Sequence, residues 1–152
     1  DRISVRLGDG LSPIRPDEAD DMVIAGMGGE TITAILTAAP WVKAPQYRLI
    51  LQPMTKAEVL HAYLMQNGFT IRREWLVAEE ERRYILLVAA FTDAPALCDP
   101  VAHWRGAFEG KDSVLYGEKT AAYLRKRAAG CEKSDPQEAQ RLRAIAAELS
   151  KR

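Results

Sequence analysis

Apolar residues along the chain fall into two rhythms. Short continuous runs occur in "DMVIAGM" (Asp21–Met27) and "YRLILQP" (Tyr47–Pro53), which predicts strands buried on both faces. "ISVRL" (Ile3–Leu7) alternates apolar and polar and predicts a further strand, ending at "GDG". Between the runs the spacing is helical. Ile32, Ile35, Leu36 and Ala39 share a face, and Pro40 stops the helix. Leu60, Tyr63 and Leu64 mark a second helix. Thr55 with Glu58 reads as its capping box and Gly68 as its stop. His61 lies off that stripe and reads as solvated. "FTIRREWLV" and "RRYILLVAAF" flank an acidic turn and predict an antiparallel hairpin. The series is an α/β sheet, mostly parallel, with an antiparallel edge.

After residue 92 the pattern changes. Residues 93–112 read as a linker and 113–152 as a helical hairpin, leaving 1–92 as the sheet domain. The first tail helix is predicted from Ser113 to Ala129, ended by Gly130. Ser134 or Asp135 caps the second, Pro136 suits its first position, and Leu142, Ile145, Ala146 and Leu149 form its stripe.

Composition changes this picture little. The chain has 152 residues, 47% apolar and 28% charged, as in globular proteins. No apolar run reaches the roughly 18–20 residues of a membrane span, and no signal-peptide pattern begins the chain. The expectation is a cytoplasmic protein with no membrane partner. Cys98, Cys131, His61 and His103 stand apart, so neither a metal site nor a disulfide framework is predicted. The first residue, Asp1, suggests a piece of a longer protein. Net charge is zero, yet residues 111–152 carry ten Lys/Arg against six Asp/Glu. A basic tail on an acidic body points to a polyanionic partner.

Charge thus directs attention to the tail, and the glycines direct it to the sheet. Open α/β sheets bind ligands beyond the carboxyl ends of their strands. "GDG" and "GMGG" both fall at such ends, which would set Asp9 and the turn Gly26, Met27, Gly28, Gly29 on one rim. Phosphate is disfavoured there: the spacing is not G-x-G-x-x-G, no G-K-[ST] follows, and Glu30 already answers the helix dipole. A flat, uncharged partner such as a nucleobase or methyl donor fits. So does a tight turn that lets helix pack on strand. Asp9 can accept from an adenine amino group or a ribose, or simply form the turn. Gln52 and Pro53 add to the rim, and Gln52 can read a base edge or satisfy loop backbone. No nucleophile-plus-base pattern occurs, so any chemistry relies on positioning.

Together, "SVRLGDGL", "VIAGMGGETI", "LILQP" and "E…RRYILLV" resemble the bacterial tRNA (adenine(22)-N(1))-methyltransferase family, a class I S-adenosylmethionine-dependent group. The resemblance runs from Ile3 to Val88. It implies a Rossmann-like methyltransferase sheet with a C-terminal helical domain. It also implies transfer of a methyl group from S-adenosylmethionine to N1 of an adenine in the D-arm region of tRNA. Asp9, Gly10, Leu11 and Gly26 would then hold the cofactor. Gly26, Met27, Gly28, Gly29, Gln52 and Pro53 would line the site where base and methyl meet. Arg125, Lys126, Arg127, Arg141 and Arg143 would hold the tRNA. The family's earlier strand with its D-x-G-x-D-type cofactor loop does not precede Asp1. The sheet is therefore expected to be partial, the chain a fragment that could be inactive alone, and self-association to occur through an unpaired sheet edge or the helical tail. A small-molecule methyltransferase and a non-catalytic RNA-binding or oligomerisation module are the alternatives.

Overall fold

The computed structural model describes residues 3–80, 82–94, 99 and 101–151. Its elements are β1 (Asp21–Gly28), α1 (Gly29–Ala38), a single 3-10 turn (Pro40–Val42), β2 (Arg48–Thr55), α2 (Ala57–Gln66), β3 (Phe69–Glu79), β4 (Arg82–Phe91), α3 (Ala102–Arg105), α4 (Gly110–Cys131) and α5 (Pro136–Leu149). The strands form one sheet in the order β1-β2-β4-β3. β1 and β2 run parallel, with Val23 opposite Ile50. β4 is antiparallel to both its neighbours, β2 and β3. The hairpin therefore folds back so that its second strand enters the sheet first.

α1 and α2 cover one face. Met22, Ile24, Leu49, Leu51, Leu87 and Ala89 meet Ile32, Leu36, Leu60 and Leu64 in the main core. The other face is open. β1 alternates buried and exposed rather than being buried throughout, and Val23 is 67% exposed. This corrects the expectation drawn from the continuous apolar run. The run records two apolar faces, but among the described residues only one is covered. Ile3–Leu7 departs further from expectation and is not a strand. Ile3, Val5 and Leu7 are almost fully exposed. A lone alternating segment has no strand geometry without a ladder partner, and β1's outer edge has none among the described residues.

The second helix begins differently from its expected capping box. β2 runs through Thr55, which pairs with Gly28, so Thr55 belongs to the strand and lies one residue before the N-cap. Lys56 becomes the N-cap in a left-handed conformation at φ 53°, without a side-chain cap bond. The expected linker is partly structured: it holds α3, with Trp104 buried, and α4 begins at Gly110. Gly130 lies inside α4 and does not end it. In α5 the Asp135 side chain accepts from the Glu138 backbone N–H and Pro136 stands first, as expected. Leu124 and Ala128 of α4 pack on Leu142, Ile145, Ala146 and Leu149 of α5 in a second core that includes Trp104. Cys131 is a free thiol, and Cys98 lies outside the described residues. No helix among the described residues is long and apolar enough to cross a membrane.

The helical part is tied to the sheet at β3. Asp112 Oδ2 accepts from the Leu76 N–H at 3.1 Å, and Glu74 Oε2 accepts from the Ala107 N–H at 2.5 Å. Glu74 Oε1 lies 2.6 Å from His61 Nε2, and both side chains are fully buried. His61 is thus no solvated residue: its other ring nitrogen, Nδ1, lies 2.9 Å from the His103 carbonyl oxygen. Removing one partner strands the other in apolar surroundings. Glu74→Ala is expected to lower stability by about 3–5 kcal/mol. Glu74→Gln, which keeps an acceptor for Ala107 and a donor for His61, is expected to cost less. Urea denaturation of the two variants checks the order; equal midpoints would show that the pair does not hold the fold.

Candidate functional site

The carboxyl ends of β1 and β2 form the rim, and the helices after them start there. Strand passes into helix without a loop: β1 ends at Gly28 and α1 begins at Gly29. The glycines divide the work. A Cβ on Gly29 would stand 2.2 Å from the Lys56 carbonyl oxygen, so Gly29 lets the two helix starts touch. A Cβ on Gly28 would approach the Thr55 hydroxyl at 3.1 Å. These two fulfil the packing reading of the motif. Gly26 is different. It sits at a bulge in β1, at φ 77°, with nothing within 4 Å of an added Cβ. Its surroundings are open, as close approach of a ligand requires.

Gln52 serves the backbone. Its Oε1 accepts from the Gly26 N–H at 2.8 Å and its Nε2 faces Met54 Sδ at 3.1 Å. The amide fixes the bulge and keeps a donor directed at the rim. Met27 and Met54 stand exposed beside it, whereas Pro53 is buried.

Two cavities border this rim. The first, of about 810 Å³, is lined by Asp9, Gly10 and Leu11 from the N-terminal loop, by Glu30, Thr31 and Ile35 of α1, and by Trp41 among others. The expected cofactor loop therefore does meet the start of α1. Gly10, at φ 54°, lies against Ile35. Asp9 is exposed, and its backbone closes a turn with Ser12: the N–H donates to the Ser12 hydroxyl at 3.2 Å and the carbonyl oxygen accepts from the Ser12 N–H at 3.0 Å, which leaves the side-chain carboxylate clear of these bonds. Arg6 closes this loop by reaching Glu18 through both guanidinium nitrogens. Those bonds, with the Arg15 backbone N–H, hold the Glu18 carboxyl down at about 2. Gly26, Met27, Gln52 and Pro53 do not line this cavity.

The second cavity, of about 500 Å³, starts at Pro53 and Met54 and runs to α4. The Glu30–Lys56 ion pair, 2.6 Å long, stands between the two: Glu30 lines the first and Lys56 the second. Sequence reasoning missed this second cavity. Its walls come from α4 and β4, and no local pattern announces that they meet.

The tail cations are mostly engaged. Arg125 donates to the Ser150 hydroxyl at 2.8 Å. Arg127 and Arg141 flank Glu138 at 3.9 and 3.5 Å, and Arg143 pairs with Glu132. These contacts lie at the surface, with Glu138 half-buried, and a polyanion can displace the arginines from them at small cost. Lys126 pairs with no carboxylate among the described residues. No group of three or more potential metal ligands occurs among those residues either.

A half-covered α/β sheet, an antiparallel strand set inside its parallel and hairpin parts, and a glycine rim beside helix starts define a Rossmann-like, ligand-binding class. The profile of the family described as a methyltransferase domain matches residues 1–87, and the chain belongs to that family. It is 38% identical over 124 residues to tRNA (adenine(22)-N(1))-methyltransferase of Bacillus subtilis strain 168, covering 82% of this chain and 51% of that protein. The chain thus spans about half the length of the curated relative it matches. The crystal structure of the B. subtilis tRNA methyltransferase TrmK is similar with a TM-score of 0.79 and 25% identity, over 97% of this chain and 70% of the other. A Streptococcus pneumoniae protein solved in complex with S-adenosyl-L-methionine gives a TM-score of 0.74 and 25% identity, over 96% of this chain and 67% of the other.

The division of work among the glycines is directly measurable. Gly29→Ala drives a methyl group into backbone and is expected to cost ~2–3 kcal/mol. Gly26→Ala meets open space and bears only the left-handed strain, about 1 kcal/mol. Thermal or urea unfolding of the two variants gives the ranking, and a larger loss at Gly26 would contradict it.

Proposed function

We propose that the chain carries the substrate-side half of an S-adenosylmethionine-dependent tRNA methyltransferase acting on N1 of an adenine in the D-arm region. The observation that carries this reading is Gly26: an open, left-handed rim residue whose N–H is held by Gln52. The family membership and the tRNA methyltransferase relative support it. The residues of the first cavity suit the adenosine part of the cofactor. Asp9 offers an exposed carboxylate to an amino or hydroxyl donor, and Leu11 and Ile35 offer an apolar wall. When bound, S-adenosylmethionine supplies an electrophilic methyl group.

The remaining work is positioning. N1 of adenine carries its own lone pair, so no side chain must first remove a proton from it. Gly26 leaves room for a flat base at the rim, and Gln52 stops the bulge from collapsing into that room. Met27 and Met54 present an apolar surface that displaces water from the approach. Glu30, next to the rim, is neutralised by Lys56 and leaves no isolated negative charge to trap the cationic product base. Desolvation and alignment are the contributions such a site makes.

A second observation favours self-association as part of this reading. The sheet face and β1 edge left without a partner among the described residues carry the exposed Val23 and Met27, an invitation to pairing. Light scattering that finds a dimer at micromolar concentration would support this, and a monomer throughout would remove it.

The test of the function is calorimetric titration with S-adenosylmethionine and S-adenosylhomocysteine, followed by methyl transfer to a tRNA transcript. Saturable cofactor binding at the first cavity is expected, with methylation at adenine N1 once the cofactor-side half is supplied. Gln52→Ala is expected to lower transfer about tenfold with little change in unfolding midpoint, because water can replace the bond to an exposed N–H. Cofactor binding without tRNA methylation would favour a small-molecule methyltransferase. Salt-sensitive tRNA binding without cofactor binding would favour a non-catalytic RNA-binding module.

A further inference from the structure

We propose that the second cavity is the seat of an RNA strand beside the modified base, with a neighbouring nucleotide stacked on Tyr123 and its phosphates held by Lys119 and Arg83. This rests on the reading of the chain as an RNA methyltransferase and locates where the RNA leaves the rim.

The cleft begins at Pro53, where the rim ends, and is floored by Tyr116 and walled by Arg83 of β4 and by Lys119 and Tyr123 of α4. Glu58 is the single acid of its lining among the described residues. Three cations face that one acid, and Lys56 already has Glu30. Arg83 bonds the carbonyl oxygens of Glu80 and Arg82, which add no formal negative charge. Lys119 pairs with no carboxylate among the described residues. The cleft is therefore positive.

Its aromatic component is placed for stacking. Tyr123 is 54% exposed. Tyr116 lies deeper, its ring 4.3 Å from that of Phe108, and burial raises its phenol above the usual range. Tyr116 thus forms a neutral floor, while Tyr123 presents a free face. Lys119, Tyr123 and Lys126 follow at i, i+4 and i+7, one stripe of α4. Aromatic rings interleaved with unpaired cations along a groove fit single-stranded nucleic acid, because every base has a stacking face and every linkage a charge. The stripe shares Lys126 with the patch expected from the sequence and adds Lys119 and Tyr123, whereas Arg127, Arg141 and Arg143 face Glu138 and Glu132.

The test is fluorescence anisotropy of a labelled tRNA transcript with the full chain across a salt series, with S-adenosylhomocysteine titrations alongside. Tyr123→Ala is expected to weaken RNA binding about tenfold and Tyr123→Phe to restore it, since stacking needs the ring and not the hydroxyl. Lys119→Ala is expected to reduce the slope of log affinity against log salt by about 0.7–0.9, the share of one phosphate contact. Arg143→Ala should change either quantity much less, and cofactor affinity should stay constant in every variant. If the unaltered chain binds tRNA but Tyr123→Ala and Lys119→Ala bind as it does, the cleft is not the RNA seat and the proposed function stands. If the unaltered chain fails to bind tRNA at any salt, both fall together.

Discussion

One buried pair joins every part of this molecule. His61 belongs to α2, Glu74 to β3, and their remaining bonds go to the His103 carbonyl in α3 and the Ala107 N–H before α4. A carbonyl oxygen only accepts, so Nδ1 of His61 carries a proton. One further proton then lies between Nε2 and the Glu74 carboxyl. The cluster is neutral as a whole and each polar atom named here has a partner, which is the condition under which such a group can be buried. Its value lies less in net stability than in position, since a well-packed apolar replacement can match a buried pair in energy. It fixes how the helical hairpin stands against the sheet, and therefore where α4 passes the rim.

That placement explains the second cavity. Pro53 and Met54 lie near the carboxyl end of β2, and α4 passes across from them. The Asp112 contact to Leu76 anchors the first turn of α4 to β3, and the Glu74 contact anchors the turn before it. With two such anchors a helix of 22 residues is held in direction as well as in place. The cleft between rim and helix is a consequence of these bonds, although none of the bonded residues lies in it.

Much of the sheet was legible because its signals are local. The continuous runs of β1 and β2, the spacing of Ile32 and Leu36, the short acidic turn of the hairpin and the Asp135–Pro136 start of α5 each follow from chain stiffness and burial over a few residues. What the sequence concealed is longer in range. Simple alternation in "FTIRREWLV" sets Phe69, Ile71 and Trp75 on one face and leaves Glu74 on the other. The register shift between Ile71 and Arg73 reverses this, so that Glu74 pairs with Leu87 and faces the helices. Once Glu74 is inside, His61 must be inside as well, and its position off the Leu60–Leu64 stripe is no longer evidence of solvation. Thr55 failed as a cap for a similar reason, because pairing with Gly28 extended β2 through it. Of the candidate site, the loop at Asp9 and the Gly26 rim were visible in the residues. The division of labour among the glycines was not, since Gly29 is required by Lys56, which is 27 positions along the chain.

The contact between Gly29 and Lys56 also accounts for the organisation of the rim. β2 extends through Thr55 and leaves a single residue in which the chain must turn into α2. Lys56 makes that turn by taking the left-handed conformation, and its carbonyl oxygen then occupies the place where any other residue at position 29 would carry a Cβ. The same residue bonds Glu30 through its side chain. One strained lysine therefore packs two helix starts together, cancels the charge at the first of them and separates the two cavities. Gly26, three residues earlier, is free of these demands, because the bulge moves it out of the packed layer. The motif "GMGG" thus contains a structural half and an open half. The open half can face a ligand because the structural half has already fixed the backbone on which it stands.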